Sequence, residues 1–360
     1  MNIGIITFHN AHNYGAVLQC YALQTYLIQL GHDVSVINYR NNELLKCYKV
    51  FDVDRIWSKN PFKLIRNLRK ELSVYSVRKK RNRNFNAFIE ERLRLVEQET
   101  ILSGVLDYIV IGSDQVWNIG LTGGFDKYYW GGFGHSSRTK IISYAASVEK
   151  KWPDESDVVA KNFLSKFSAI SVREGNIAQI IRGYQLKAPV CVSVDPTMLL
   201  DMKSWEVMVE KPNIDGPYLL LYQVRLSDKA YEIAKGIAES KHLKLVCLSA
   251  RVDGVNTKEI SGASPNLFLG LFRYAEHVVC TSFHGCVFSV VFQRPFYSVR
   301  LNDGKDERAE NLLHSLGLES RIVESGNPCD FSEDICWTDV EHRLETLSTD
   351  SKNYLINNIV

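Results

Sequence analysis

The chain alternates short apolar runs with amphipathic stretches almost from end to end. Residues 3–8 form a continuous buried-type run, residues 10–15 are polar, 17–30 carry a helical apolar stripe closed by Gly31, and 34–39 are β-like again. That order predicts a βαβ opening unit, in which ligands meet the loop after the first strand. Further strands are predicted at 107–112, 140–146, 169–172 and 190–194, with a helix near 155–167. The rhythm pauses over 201–216, where Pro212 and Gly216-Pro217 interrupt both periods. It then restarts with a strand at 218–224, a helix at 227–241, a strand at 243–248, a polar loop at 249–265 and a helix near 266–275. Residues 277–300 follow as strand, tight turn and buried helix; a charged loop at 304–308 feeds a helix at 309–316, and surface helices follow Asp330.

This alternation supports an α/β fold: two Rossmann-like domains facing each other across a cleft. The expected division is 1–205 as an N-terminal, acceptor-side domain that includes a basic helical segment at 55–94. Residues 206–330 would form a C-terminal, donor-side domain, and 331–360 a helical segment packing back. The length of 360 residues agrees with two domains.

Composition, with 45% hydrophobic and 23% charged residues, is that of an ordinary soluble globular protein. A net charge of +2 gives no whole-chain argument for nucleic acid. The eight cysteines lie scattered, mostly in apolar runs, without CxxC spacing, the pattern of reduced thiols in a reducing cytoplasm. Met1 leads directly into a strand, which does not read as a signal peptide, and no apolar run approaches the roughly 20 residues of a membrane span. A soluble, intracellular location is expected. Charge is uneven, however: between Arg55 and Arg83 eleven lysines and arginines face only Glu71, interleaved with Ile56, Trp57, Phe62, Leu64, Ile65, Leu68 and Leu72. Such a segment is either a solvated helical face packed on its own domain or a cationic amphipathic helix lying on an anionic membrane. No nucleic-acid motif accompanies it.

Candidate chemistry gathers at predicted strand ends. In the turn after 278–280, Ser282, His284 and Gly285 precede a helix N-terminus, where backbone N–H groups and the helix dipole favour an anion. His284 would stand beside it; a capping or core histidine is the bland alternative. In the first loop, which lacks GxGxxG, Asn13 and Gly15 could hold an uncharged polar ligand or simply cap the helix. After 107–112 come Ser113, Asp114, Gln115 and Asn118, acceptors and donors suited to sugar hydroxyls. The aromatic stretch 120–134 could wall such a site or be a structural insertion. Arg173 follows another strand and could fork onto a carboxylate or phosphate, or pair with an acid of its own domain. His9 and His12 lack a third ligand, so no metal site is expected.

In order, HNAHNYGAVLQCYALQTYL, VIGSDQVWN, SYAAS, ISVRE, VDPTMLL, TSFHGCVFSVVFQRPF and the segment 308–321 resemble the polysaccharide pyruvyl transferase family over most of the chain. The resemblance implies a GT-B-like fold and transfer of pyruvate from phosphoenolpyruvate onto a sugar of a bacterial capsular or extracellular polysaccharide. The product would be a ketal, commonly across positions 4 and 6 of a hexose such as galactose. It implies phosphoenolpyruvate as donor substrate, with no further cofactor, and a sugar acceptor; lipid linkage of that acceptor stays open, and it is the basic segment between Arg55 and Arg83 that hints at work beside the inner face of the plasma membrane. Better-studied members carry Arg-Leu-His where this chain has Ser282-Phe283-His284, so the histidine carries over and the arginine does not. Arg173, Lys305 and Arg308 are the candidate replacement cations. The assignment is His284 and Asp114 as acid and base, Arg173, Ser282, Gly285, Lys305 and Arg308 on the donor, and Asn13, Gly15, Ser113, Gln115 and Asn118 on the acceptor. The rival readings are a GT-B glycosyltransferase using a nucleotide sugar and a non-catalytic sugar-binding member of the assembly complex.

Overall fold

The apolar runs become strands buried on both faces, as parallel sheets covered by helices require. The computed structural model describes residues 1–148, 151–249, 260, 262–324 and 334–360; most of the polar loop expected at 249–265 lies outside them. The chain divides into two units, residues 1–48, 89–200 and 344–360 in the first, 49–88 and 201–343 in the second.

Unit 1 contains β1 (Asn2–Ile6), β2 (Asp33–Ile37), β3 (Leu95–Val96), β4 (Tyr108–Ile111) and β5 (Lys140–Ser143), in the order β3-β2-β1-β4-β5 with every pair parallel. A two-stranded parallel annex of β6 (Ile170–Val172) and β7 (Val190–Val192) joins the edge through bridges at Ile142 and Ala146. Unit 2 contains β8 (Tyr218–Gln223), β9 (Lys244–Ser249), β10 (His277–Cys280), β11 (Phe296–Val299) and β12 (Ile322–Val323). Their order is β12-β11-β10-β8-β9, again parallel throughout. These are the two common doubly wound orders, and each reverses its winding at one seam, β1/β4 in unit 1 and β8/β10 in unit 2. The α/β character and the pair of Rossmann-like sheets expected from the sequence are therefore present.

Composition of the units departs from the local pattern in two places. The basic segment 49–88 groups with unit 2 rather than with the N-terminal unit. Within helix Pro61–Arg92, Arg81 donates to the Ser249 carbonyl (3.3 Å) and Asn84 to the Gly262 carbonyl (2.8 Å). The C-terminal residues form a single helix, Trp337–Asn358, whose later part belongs to unit 1: Tyr354 donates to the Ser143 carbonyl (2.8 Å), and the Tyr108 hydroxyl to that of Val360 (2.9 Å). Pairings across more than a hundred positions leave no mark on a local hydrophobic period.

Under the carboxyl ends of unit 1 runs a buried polar seam. Arg173, directly after β6, places Nη2 2.6 Å from an Asp195 carboxylate oxygen, with 5% of one side chain and none of the other exposed. The same guanidinium donates to the Ser113 hydroxyl, which donates to the Ala145 carbonyl (2.9 Å). Asp195 also accepts from the amide (2.9 Å) and hydroxyl (2.6 Å) of Thr197. From the other side Gln19 donates to the Thr7 hydroxyl (2.9 Å), which donates to the Ser113 carbonyl (2.9 Å). Arg173, read from the sequence as a donor clamp, thus has its charge engaged inside unit 1, where it secures the turn after β4. Gly112 fits the same turn at φ 115°, where an added Cβ would lie 2.4 Å from the Tyr144 carbonyl oxygen.

Two measurements test these buried ionisable groups. Asp195→Ala leaves Arg173 buried without its carboxylate and should cost about 3–5 kcal/mol in urea unfolding; a loss below about 1 kcal/mol, the scale of an exposed pair, would contradict the seam. His277, the first residue of β10, has its pKa pushed down to about 4, first by burial and then by Lys241. The unfolded chain takes up that proton near 6.5 while the folded chain resists it, so this contribution is complete above about pH 6.5 and declines as pH falls toward 4. Buried His9, its pKa also lowered chiefly by desolvation, acts in the same direction. A His9→Asn/His277→Gln variant should therefore show a flatter stability profile between about pH 6.5 and 5 than the parent; an unchanged slope would contradict the assignment.

Candidate functional site

Ligands of open parallel sheets bind outside the carboxyl ends of the strands at the seam where winding reverses. In unit 1 the flanking loops follow β1 and β4. Asn13 caps helix Tyr14–Gln29, its Oδ1 accepting from Gly15 (2.9 Å) and Ala16 (3.4 Å). Asn13 and Gly15 therefore build the helix start, the capping alternative left open by the sequence. His9 sets Nδ1 3.3 Å from the Thr7 carbonyl and Nε2 3.2 Å from the Asn38 carboxamide oxygen, and His12 packs against Tyr48. Among the described residues no three ligating side chains gather for a metal.

The loop after β4 carries the other candidates. Ser113 is wholly buried in the seam. Asp114 adopts φ 65°, its carboxylate accepting from the Gln115 amide (2.8 Å) and its carbonyl from Val116 (2.8 Å) and Ser147 (2.9 Å). Its side chain is half-buried. Asn118 donates to the Gln115 carboxamide oxygen (2.7 Å) and caps the short helix Ile119–Thr122 by accepting from Gly120 (3.1 Å). Much of the hydrogen-bonding capacity of these side chains is thus used in shaping the loop.

Asn10, which sequence reasoning passed over, differs. It stands in the loop after β1 with 6% of its surface exposed, and neither amide atom has a hydrogen-bond partner among the described residues. The buried Tyr129 hydroxyl likewise has none. The Tyr129 ring meets Phe8 edge-to-face at 5.1 Å, which brings it to the end of β1. Its pKa is raised first by burial and then by Asp126, Tyr39 and Asp114. A buried amide without a partner costs about 1–3 kcal/mol, so such groups are scarce in native interiors. The sequence signal was only an asparagine two residues past a strand-end phenylalanine. The other aromatics of 120–134 fill the core: Trp130 stacks on Trp117 (5.3 Å) and meets Trp152 edge-on (5.2 Å), so this stretch is structural rather than an open wall.

In unit 2 the loops after β8 and β10 flank the seam. Thr281 ends β10, Ser282 caps helix Phe283–Val291 by accepting from Gly285 (3.1 Å), and His284 stands half-buried in the first turn, edge-on to Phe283. That turn presents the positive end of the helix. Gly285 has a packing role, because a Cβ there would lie 2.5 Å from that of Cys280 and press the helix off the strand. Cys280 and Cys286 sit in this contact with sulfurs 3.7 Å apart.

Arg225, also missed from the sequence, follows β8 by two residues. It donates to the Thr281 carbonyl (3.1 and 3.3 Å), to Asp306 (2.6 Å) and to Asp303, while the Thr281 hydroxyl donates back to the Arg225 carbonyl (2.9 Å). One guanidinium thereby ties the loop carrying His284 to the loop after β11. Asp306 also accepts from the amides of Leu301 (3.0 Å) and Asn302 (2.7 Å), bending the segment from which exposed Lys305 and half-buried Arg308 project. The donor-side set His284, Ser282, Gly285, Lys305 and Arg308 belongs to unit 2, whereas Arg173 belongs to unit 1.

The polysaccharide pyruvyl transferase family model matches residues 13–303. No curated protein matches. Among solved structures, the Staphylococcus aureus MnaA–UDP co-structure is 12% identical over 99% of this chain and 95% of that one, with a TM-score of 0.46. The UDP-N-acetylglucosamine 2-epimerase from Rickettsia bellii is 8% identical over 99% and 95%, with a TM-score of 0.46. The N-terminal domain of Candida albicans trehalose-6-phosphate phosphatase is 9% identical over 99% and 98%, with a TM-score of 0.48. The family match takes in the loop after β4 and the helix bearing His284, and on its extent the chain belongs to the polysaccharide pyruvyl transferase family.

Proposed function

We propose that the chain transfers the enolpyruvyl group of phosphoenolpyruvate to two hydroxyls of a hexose unit in a capsular or extracellular polysaccharide precursor, forming a pyruvate ketal. The observation that carries this reading is the position of His284, an imidazole on the first turn of a helix at the β8/β10 seam of a pyruvyl transferase family member. A helix start suits the donor's negative groups, and an imidazole beside it suits proton delivery.

In this reading His284 protonates the methylene carbon of phosphoenolpyruvate, leaving an oxocarbenium-like centre at the neighbouring carbon. One sugar hydroxyl adds there, the bond to the phosphate oxygen breaks, and the second hydroxyl closes the ring. Of the two hydroxyl protons, one balances that taken up by the new methyl group and the other leaves with phosphate. Lys305, Arg308 and the first-turn amides hold the donor's anions, taking the place of the arginine that other members carry at the position of Ser282. Ser282 and Gly285 set the geometry of that turn. On the acceptor, Asp114 receives a hydroxyl proton and Asn10 reads a hydroxyl, while Asn13, Gly15, Ser113, Gln115 and Asn118 shape the loops presenting them. Arg173 acts as a positioning residue through Ser113.

Phosphate release from phosphoenolpyruvate with a panel of hexosides, followed by NMR detection of a ketal methyl group, tests the reaction. Release that depends on the hexoside supports it; turnover of a UDP-sugar instead, or hexoside binding without turnover, would overturn it. His284→Ala should lower the rate roughly 100- to 10,000-fold while thermal unfolding stays close to the parent's; a parental rate would remove His284 from the chemistry. Asn10→Ala should raise the acceptor KM roughly three- to tenfold with the donor KM unchanged. A rise in the donor KM alone would place Asn10 elsewhere.

A further inference from the structure

Helix Pro61–Arg92 has two apolar stripes where a helix at a protein surface needs one. The inner stripe, Val74, Val77, Phe85 and Phe88, is buried, and on that side Arg81 and Asn84 bond to the carbonyls of Ser249 and Gly262. The outer stripe is Phe62, Ile65 and Leu72, exposed by 83%, 49% and 57%. Their spacing of three and seven places all three on one side of the helix, with Arg69 filling the remaining turn. Just before the helix, Trp57 is 72% exposed. Four large apolar side chains held out into water in one short region do not make a solvated helical face, whose outer positions are ordinarily polar.

Within residues 57–83 the exposed charge has one sign. Lys59, Lys63, Arg66, Arg69, Lys70, Lys79, Lys80 and Arg83 are exposed, and among the described residues none of them makes a salt bridge. Glu71, the segment's one acid, is buried, paired with Arg78 and accepting from the Asp52 amide, so it does not offset the outer charge. Of the chain's 43 lysines and arginines, 11 fall between residues 55 and 83 against 1 of its 41 acids. The remainder, 32 basic against 40 acidic, is net negative by 8.

We infer that the outer face of residues 57–83 docks the protein on an anionic lipid surface, the basic side chains meeting headgroups and Trp57, Phe62, Ile65 and Leu72 entering the interface. A cationic rim around exposed aromatic and aliphatic side chains matches the layering of such a surface, charge at the headgroups and hydrocarbon beneath. A phosphate-rich polymer would use the cations but leave the apolar side chains in water. The acidic remainder is repelled by the same membrane, which orients the molecule with this face toward it. Among the described residues no helix is long and apolar enough to cross a membrane, so the attachment is to the surface. The inference stands whether or not the chain transfers pyruvate.

Co-sedimentation of the full chain with vesicles of phosphatidylcholine alone, or enriched in phosphatidylglycerol, tests it. Binding is expected only to the enriched vesicles and should fall steeply between about 0.1 and 0.5 M salt. Arg66→Glu/Arg69→Glu/Lys79→Glu should weaken it by roughly a hundredfold or more. Phe62→Ser/Ile65→Ser/Leu72→Ser, which leaves every charge in place, should weaken it by roughly tenfold or more. All these positions are exposed, so circular dichroism and melting temperature should match the parent's. Parental vesicle binding by either variant, equal binding to neutral vesicles, or tighter binding to duplex DNA than to the enriched vesicles would overturn the inference.

Discussion

In each unit the direction of winding reverses at one seam between parallel strands, β1/β4 and β8/β10, and the candidate residues lie in the loops that flank these seams. Connections leaving the two strands at such a seam turn in opposite directions, so no connection covers the crevice above them. Asn10 and Asp114 come from the two loops flanking the first seam, Arg225 and His284 from those flanking the second. Residues far apart in sequence are juxtaposed because a parallel sheet places all its strand ends on one edge.

Loops open to ligands must still be held, and the two units do this differently. Unit 1 uses buried polar groups: the Arg173–Asp195 pair and the Thr7–Gln19 contact grip Ser113 from opposite sides, and Asp114 keeps its left-handed backbone above them. A buried ion pair adds little net stability over an apolar substitute, but losing one partner costs much, so it acts as a conformational lock. Unit 2 uses close packing and a half-exposed tie: Gly285 lets the helix of His284 lie against β10, and Arg225 fastens Thr281 to the segment after β11. In the proposed reaction the first arrangement serves recognition of neutral hydroxyls and the second serves a small, highly charged donor.

Much of this was legible in the sequence, for definite reasons. The strand and helix rhythm was readable because parallel strands buried on both faces give unbroken apolar runs such as Tyr108–Ile111 and Tyr218–Gln223. His284 and Asp114 could be singled out because each follows such a run within a polar turn. The strand Phe296–Val299 went unassigned, and the basic segment and the C-terminal helix join units that their neighbours in sequence do not. Arg173 looked like a clamp because nothing nearby in sequence reveals Asp195, its partner 22 positions on. Asn10 and Arg225 were invisible for the complementary reason: their significance lies in which hydrogen bonds the fold leaves open or closes, and no hydrophobic period encodes that.

In the proposed reaction an exchangeable acid, the His284 imidazole, delivers a proton to the methylene carbon of phosphoenolpyruvate during ketal formation. Running the reaction in D2O and examining the pyruvate ketal by mass spectrometry and NMR tests this most directly. A ketal methyl group bearing a single deuterium is expected, because the transferred proton comes from a nitrogen in exchange with solvent. A fully protonated methyl group formed in D2O, or a hexoside recovered without pyruvate after phosphoenolpyruvate has been consumed, would contradict it.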